Sequence, residues 1–263
     1  MFAVYMLIAL IPSIAGAISG IGGGIIIKPA LDFTVAVSGG GLGAPEINFL
    51  SGSTVLAMAA VSLLRSRKSG IRLEGGRGIA LAGGAVFGGF CGNALFAIAA
   101  GAISSSAIGA AQSAMLVILT GLSLLYTKKK GKITTKNLRF LPLCVIIGLG
   151  LGMISSFLGI GGGPVNIMAI SYFFSMDSKT SALHSLFIIF LSQLANLILA
   201  FIMGLPAIPA PVLIAMICGG VSGALLGSRL LRLFRNEQID TLFTILMVAV
   251  MALSAYNCIR FIR

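Results

Sequence analysis

The sequence predicts an all-α membrane protein built from two inverted repeats, each a glycine-broken helical hairpin followed by three transmembrane helices. Little charge, long apolar blocks and a repeated glycine motif predict this fold. Only 9% of the 263 residues are charged and 58% are hydrophobic, whereas soluble domains usually carry about 25% charged residues. So few polar residues suit a bilayer rather than water as the surrounding solvent.

Hydrophobic residues fall into blocks of about 17–25 residues, the length that crosses a hydrocarbon core as a helix. No soluble domain fits between them, because the longest charged stretch, Thr127–Arg139, is too short to fold alone. The pattern predicts about eight full spans together with the return arms of two hairpins. The blocks are Met1–Ser19, Asn48–Leu64, Ile79–Ile103, Ala107–Tyr126, Phe140–Leu158, Ser181–Met203, Val212–Leu226 and Leu242–Cys258.

The net charge of +12 does not predict nucleic-acid binding. Lysines and arginines lie in short loops between apolar blocks, as the positive-inside rule of membrane proteins describes. The four cysteines lie singly inside apolar blocks. They are interpreted as small packing residues rather than as disulfides or metal ligands.

The second half of the chain repeats the first. The motif Gly-Ile-Gly-Gly-Gly at residues 20–24 recurs at residues 159–163. The duplication predicts one repeat at residues 1–139, ending in a basic linker at 127–139, and another at 140–263, within one integral membrane domain. A glycine triplet also recurs and favours close helix packing over substrate contact. The triplets are Gly84, Gly88 and Gly92, and Gly219, Gly223 and Gly227.

The positions of the basic residues favour one topology. If every block crosses the membrane once, the three arginines within residues 229–235 lie outside. If each glycine motif is instead the turn of a hairpin, the two halves are inverted and only Lys28, Arg260 and Arg263 lie outside. The hairpin topology therefore fits the positive-inside rule better.

The return arms of the hairpins, residues 25–37 and 164–174, are roughly 20 Å and 16 Å long as helices. Both are shorter than a core of ~30 Å, which predicts hairpins that enter part-way from opposite faces. A helix that begins inside a membrane has unpaired N–H groups at a partly positive end. Two such ends predict an anion site, although a tight turn without a ligand is the alternative. The predicted site residues are Gly22, Gly23, Gly24, Gly161, Gly162 and Gly163.

Residues 20–31, Gly-Ile-Gly-Gly-Gly-Ile-Ile-Ile-Lys-Pro-Ala-Leu, resemble the GxGGGxxxxPxL signature of the TauE/SafE sulfite-exporter-like family. The second copy keeps the glycines but has Met168 and Ile170 in place of Pro29 and Leu31. The resemblance extends to the chain length, the two halves and the basic central loop. It implies a multi-pass transporter of the bacterial or archaeal cytoplasmic membrane. The implied substrates are small sulfur-containing anions such as sulfite, thiosulfate or sulfoacetate, with substrate and direction left open.

Polar side chains after each hairpin are further candidates, because such groups usually face the interior of a membrane bundle. Asn166 stands in the first turn after the second motif, where its amide can donate to an oxyanion. His184 lies near one end of its helix and could be simply interfacial, or it could relay a proton or contact the anion. Lys28 could attract the anion or snorkel to the surface. The other candidates are Ser53, Thr54 and Ser185, with Asn48, Ser51, Gly52, Ser62, Ser181, Ser192, Gln193 and Asn196 on the same stripes and Asn93 and Gln112 in addition.

These features predict a secondary transporter that works by alternating access. Its expected partners are a small sulfur oxyanion or organosulfonate and the lipid bilayer, with a homodimer as a candidate assembly and no cofactor or metal. An anion channel is the first alternative. An intramembrane enzyme is the second, although the adjacent His184 and Ser185 cannot themselves be base and nucleophile, since helix neighbours point about 100° apart. The acidic residues all lie near block boundaries, which does not favour a carboxylate proton relay.

Overall fold

The computed structural model describes residues 2–38, 42–66, 75–130, 133–160 and 162–262. The regular elements within these ranges are α-helices, which confirms the predicted all-α class. They are α1 (Phe2–Ser19), α2 (Gly24–Ser38), α3 (Ala44–Ser66), α4 (Gly75–Ala102), α5 (Ser105–Lys129), α6 (Leu141–Leu158), α7 (Gly163–Phe174), α8 (Ser178–Met203), α9 (Ala210–Leu233) and α10 (Asn236–Ile262).

Eight of the described helices are long and apolar enough to cross a membrane, namely α1, α3, α4, α5, α6, α8, α9 and α10. The return arms α2 and α7 contain 15 and 12 residues and extend about 22 Å and 18 Å. Large apolar side chains cover the outer surface, such as Phe87 at 68% exposed and Ile202 at 76% exposed. Such a surface suits lipid, and the chain is a multi-pass membrane protein.

Each short helix follows a turn made by the glycine motif. Gly20 and Gly159, which directly follow α1 and α6, have φ values of 75° and 65°. This left-handed region favours glycine and ends a helix. Pro164 then stands in the first turn of α7, where its missing N–H breaks no helix bond. The helix pairs α1–α2 and α6–α7 are therefore the two predicted hairpins.

The ends of α3 and α9 meet at the same end of the bundle. The Nη2 atom of Arg232 donates to the backbone oxygen of Arg65 at 3.4 Å. A topology in which every apolar block crosses once puts these residues on opposite membrane faces. That topology is therefore wrong, whereas the hairpin topology brings both residues to one face.

Other basic residues gather at this same end. Lys130, after α5, forms an ion pair with Asp240 of α10 at 3.6 Å and donates to Ser178 at the start of α8. Arg77 of α4 donates to Asn137, just before α6, at 3.0 Å. We call this the basic end of the bundle. The starts of α3 and α9 and the C-terminal end of α8 lie at the opposite end.

The glycine triplets pack against the backbone of neighbouring helices, as predicted. A Cβ atom at any glycine of the α4 triplet would collide with carbonyl oxygens of α6, and one at any glycine of the α9 triplet would collide with those of α1. The contacted carbonyl groups belong to Val145, Leu149 and Met153 in α6 and to Met6, Leu10 and Ile14 in α1. The two sets occupy equivalent positions in the two repeats, so the two helix pairs are built alike.

Each repeat thus packs its first helix against the other repeat, since α1 lies on α9 and α6 lies on α4. The order of the glycine contacts makes both pairs parallel. Because α9 ends at the basic end and α4 begins there, α1 runs toward that end and α6 runs away from it. This arrangement is compatible with inverted repeats. The α5–α10 and α3–α8 contacts complete the bundle.

Candidate functional site

The two glycine motifs meet inside the bundle through reciprocal contacts. A Cβ atom at Gly24 would lie 2.5 Å from the carbonyl oxygen of Ile160, and one at Gly163 would overlap the carbonyl oxygen of Ile21. Gly24 is equivalent to Gly163, and Ile21 is equivalent to Ile160. Only glycine fits where the two turns approach each other so closely. Gly161 lies outside the described residues.

The first turn packs mainly on apolar groups. Gly22, with φ of 74°, faces the side chains of Ile189 and Val55, and Gly23 lies against the backbone of Pro12. No polar side-chain atom is among these nearest described neighbours. The first turn is therefore a packing contact at the point where the two hairpins cross inside the bundle.

Polar side chains adjoin the second turn. Gly162 lies beside the Oγ atom of Ser155 and the Oδ1 atom of Asn166. The equivalent residues in the first repeat are Gly16 and Ile27, whose side chains carry no polar atom. The two motifs are alike in backbone sequence but differ in the chemistry around them.

The amide of Asn166 is fully buried. Within the described part of the chain, neither its Oδ1 nor its Nδ2 atom has a hydrogen-bond partner, and the Oγ atom of Ser155 also lacks one. A buried polar group without a partner costs about 1–3 kcal/mol. The first N–H groups of α7 have no partner within the helix either. Unpaired hydrogen-bonding groups are thus gathered at the partly positive end of α7.

A cavity of about 410 Å³ lies beside the second motif and touches its first residue, Gly159. Helices α3, α4, α6 and α8 form its walls. It reaches Glu46 and Pro206, which belong to the end of the bundle opposite the basic end. Its polar lining side chains are Glu46, Asn48, Ser53, Asn93, Ser156, Gln193 and Asn196. We call it the open cavity.

The lining of the open cavity offers unused hydrogen-bonding atoms. Among the described residues, Asn48 Oδ1, Ser53 Oγ and Gln193 Nε2 are buried and have no partner. Asn196 exchanges hydrogen bonds with Ser156 at 3.1 Å and 3.2 Å and donates to Gln193 Oε1 at 3.4 Å. Because the Gln193 oxygen is already used, its Nε2 donor is the free group. The cavity can therefore present neutral N–H and O–H donors to a small anion.

Lys28 lines a different cavity, of about 270 Å³, between α2, α5 and α10. Its side chain is 6% exposed, so the predicted alternative of a surface-snorkelling lysine is wrong. Its Nζ atom donates to Gln112 Oε1 at 2.6 Å and to the Leu158 carbonyl oxygen at 2.8 Å. Gln112 in turn donates to the carbonyl oxygen of Phe157 at 2.6 Å. These contacts satisfy carbonyl groups at the C-terminal end of α6, where positive charge is favourable.

Three other predicted side chains lie outside the lining of the open cavity. His184 is buried, with its Nδ1 atom 2.9 Å from the carbonyl oxygen of Thr180. Thr54 donates to the carbonyl oxygen of Leu50 at 2.7 Å, and Ser185 is fully buried in α8. Asn166 adjoins the second turn. The predicted side chains that line the open cavity are Asn48, Ser53, Asn93, Gln193 and Asn196.

The sequence-based prediction missed Ser155 and Ser156, which stand in the last turn of α6. Both lie inside an apolar block and therefore resemble core residues. Comparison of the repeats could have found them, because the equivalent residues Gly16 and Ala17 are apolar. A polar pair that only one repeat carries beside its glycine motif indicates a role specific to that repeat.

The whole sequence resembles known membrane proteins. It matches the family described as "Sulfite exporter TauE/SafE" over residues 5–254, which include both glycine motifs. It is also similar to "Probable membrane transporter protein MamO" of Magnetospirillum gryphiswaldense, with 30% identity over 111 residues. That match covers 40% of this chain and 18% of the relative. No solved structure matches. Because the family match spans nearly the whole described bundle, this chain belongs to the TauE/SafE sulfite exporter family of membrane transporters.

Proposed function

We propose that the protein is a secondary transporter of small sulfur-containing anions in the cytoplasmic membrane of a bacterium or archaeon. The proposed substrates are sulfite, thiosulfate or an organosulfonate such as sulfoacetate. Family membership supports transport as the activity, and the family description names sulfite. The observation that carries the proposal is the open cavity, whose neutral donors lie next to the second glycine turn.

The proposed anion contacts are hydrogen bonds rather than ion pairs. Sulfite and sulfonate groups present only acceptor oxygens, which match the free Gln193 Nε2 donor and the Ser53 hydroxyl. Deeper in the bundle, Asn166 and the N–H groups that follow Gly162 and Gly163 would receive the anion. Neutral donors bind an anion without holding it as tightly as a buried cation would, and this suits a protein that must release its substrate.

Four predicted residues would act indirectly. Lys28 binds the Leu158 carbonyl group, one residue before the second motif, so its charge would favour an anion at that turn without direct contact. Gly22, Gly23 and Gly24 would form the crossing point on which the second turn rests. His184, Ser185 and Thr54 remain predictions as substrate contacts.

The proposed mechanism is alternating access around the crossing of the two hairpins. Repeats that meet at such a crossing are typical of carriers in which one part rocks against another. An anion channel is the second candidate. Flux that saturates at low substrate concentration and shows counterflow would support the carrier, whereas flux that stays proportional to the gradient would support the channel.

A thermal-shift panel with purified protein tests the proposal. The ligands are sulfite, thiosulfate, sulfoacetate, taurine and sulfate, each at matched ionic strength. A ligand that binds only the folded protein raises its melting temperature, so at least one sulfur anion should do so. The same anions are then tested for uptake into proteoliposomes, with protein-free liposomes as the control. If none of the panel changes stability or crosses the membrane through the protein, the proposal is wrong.

A further inference from the structure

The open cavity has a closed counterpart at the basic end of the bundle. Helices α1, α3, α8 and α9 meet there in a seam whose free volume is about 10 Å³, against about 410 Å³ for the open cavity. The seam is lined by residues that include Ala17, Ser62, Arg65, Leu186 and Ser228. We call it the basic seam.

Glycine contacts establish how α3 and α8 correspond in the two repeats. Gly20 packs on Ala182 of α8, and its equivalent Gly159 packs on Asn48 of α3. Asn48 is therefore the equivalent of Ala182. Ser62 follows Asn48 in α3 by as many residues as Asn196 follows Ala182 in α8, so Ser62 is the equivalent of Asn196.

The other walls correspond in the same way. The glycine triplets of α4 and α9 make Ser228 the equivalent of Asn93, and the glycine motifs make Ala17 the equivalent of Ser156. Asn93, Asn196 and Ser156 line the open cavity, and their three equivalents line the basic seam. The surfaces that line the open cavity are therefore separated, whereas the equivalent surfaces at the basic end are packed together.

Two hydroxyl groups in the basic seam are buried without a partner. Ser62 is 4% exposed and Ser228 is 8% exposed, and neither Oγ atom has a hydrogen-bond partner among the described residues. Burying an unpaired hydroxyl is unfavourable, and an apolar side chain would fill a permanently closed seam better. The two serines occupy the positions that carry amides in the open cavity.

We infer that the basic seam is a second access path and binding surface for the same class of small sulfur oxyanion. It opens when the open cavity closes. Ser62 and Ser228 then become anion donors at the positions equivalent to Asn196 and Asn93, which line the open cavity, and Arg65 places a positive charge at the mouth. This inference rests on the proposed function, and it names the surfaces that must separate for the anion to leave toward the basic end.

A reversible cross-link between α3 and α9 tests the inference. Thr54 of α3 touches Gly220 of α9, and both helices run toward the basic end. Ser62 and Ser228 follow that contact by the same number of residues, so they lie at the same level. The double variant Ser62→Cys/Ser228→Cys is made in a background whose native cysteines are replaced and which still transports. It is reconstituted and oxidised, and uptake of the anion found most active in the wild type is measured.

The expected result is a loss of at least ten-fold in uptake on oxidation, with full recovery after reduction. The single variants Ser62→Cys and Ser228→Cys receive the same oxidant, and the uptake of each, whatever its starting level, should be the same before and after oxidation. Recovery by the reductant shows that the double variant is folded. Undiminished uptake by a fully cross-linked sample would overturn the inference while leaving the transporter proposal intact.

Labelling provides a second measurement that does not depend on transport. A water-soluble maleimide should modify Ser62→Cys faster when the wild type's most effective anion is present, because turnover opens the seam. Asn196→Cys, in the open cavity, should react readily without the anion. If Ser62→Cys reacts equally slowly under both conditions, the seam does not open and the inference is wrong. If no anion in the panel affects the wild type at all, the proposed function itself fails.

Discussion

The Nζ atom of Lys28 lies 2.8 Å from the carbonyl oxygen of Leu158. This hydrogen bond joins the return arm of the first hairpin to the end of the helix that leads into the second. Gln112 reinforces it by bonding both to Lys28 and to the carbonyl group of Phe157. The buried Lys28 side chain therefore connects the two repeats one residue before the second glycine turn begins.

Replacing Lys28 by Met should destabilise the fold. The buried acceptors Gln112 Oε1 and Leu158 O lose their charged donor, so the free energy of unfolding should fall by about 1–3 kcal/mol. Thermal or denaturant unfolding of the purified variant measures the change. Lys129→Met, at an exposed position, is the matched control and should be nearly neutral. An unchanged stability for Lys28→Met would contradict the structural role.

Gly163→Ala should disrupt the crossing of the hairpins. Its new Cβ atom would overlap the carbonyl oxygen of Ile21, and overpacking of this kind costs about 1–3 kcal/mol or more. Gly150→Ala in α6 is the control, because a Cβ atom at Gly150 meets nothing within 4 Å. That control should be neutral or slightly stabilising, since alanine favours helix over glycine by about 1 kcal/mol. Melting temperatures in detergent distinguish the two variants, and equal values would argue against the close approach of the turns.

Gln193→Leu should weaken anion binding through loss of the free Nε2 donor in the open cavity. One hydrogen bond to a charged group contributes about 1.5–3 kcal/mol, which corresponds to a loss of roughly 10- to 100-fold in affinity. Anion-dependent shifts in melting temperature measure it over a range of concentrations. Gln238→Leu removes a glutamine at the exposed basic end and should leave the affinity as it is. Similar losses in both variants would contradict a local effect.

Asn166→Leu should separate binding from stability. Its buried amide has no partner among the described residues, so its removal should leave the melting temperature without anion unchanged or higher. The stabilisation by anion should fall or vanish. Asn257→Leu is the matched control, since its Nδ2 atom donates to the Pro29 carbonyl oxygen at 3.4 Å. That variant should lose stability yet keep its response to the anion. The opposite pattern would remove Asn166 from the site.

His184→Ala should lower stability without altering the pH dependence of transport. The imidazole is 1% exposed and does not line the open cavity, so its loss leaves a cavity in the packing. Uptake at several pH values, normalised to the amount of folded protein, checks the second part. A pH profile that becomes flat in the variant would restore the histidine to the transport mechanism.

Much of the fold was predictable because each membrane-spanning helix needs a continuous apolar segment, which can be recognised in the sequence. The apolar blocks located the spans, and the placement of Arg232 favoured the topology that the contact with Arg65 supports. The two glycine turns were predictable as turns, but their mutual contact was not, because Gly24 and Ile160 are distant in sequence. For the same reason Lys28 could not be assigned to Leu158 in advance. Ser155 and Ser156 were missed because they lie inside a long apolar block, where small polar residues resemble packing residues.

The packing of α1 on α9 and of α6 on α4 has a consequence for the origin of the fold. Each repeat presents a glycine face that the first helix of the other repeat covers. A single repeat made alone would leave that face bare and its own first helix without a partner. Two copies placed in opposite orientations would cover the glycine face and give the first helix a partner, as in an antiparallel homodimer. Beside this shared packing the two halves of the present chain differ, because Ser155 and Asn166 of the second half correspond to Gly16 and Ile27 of the first.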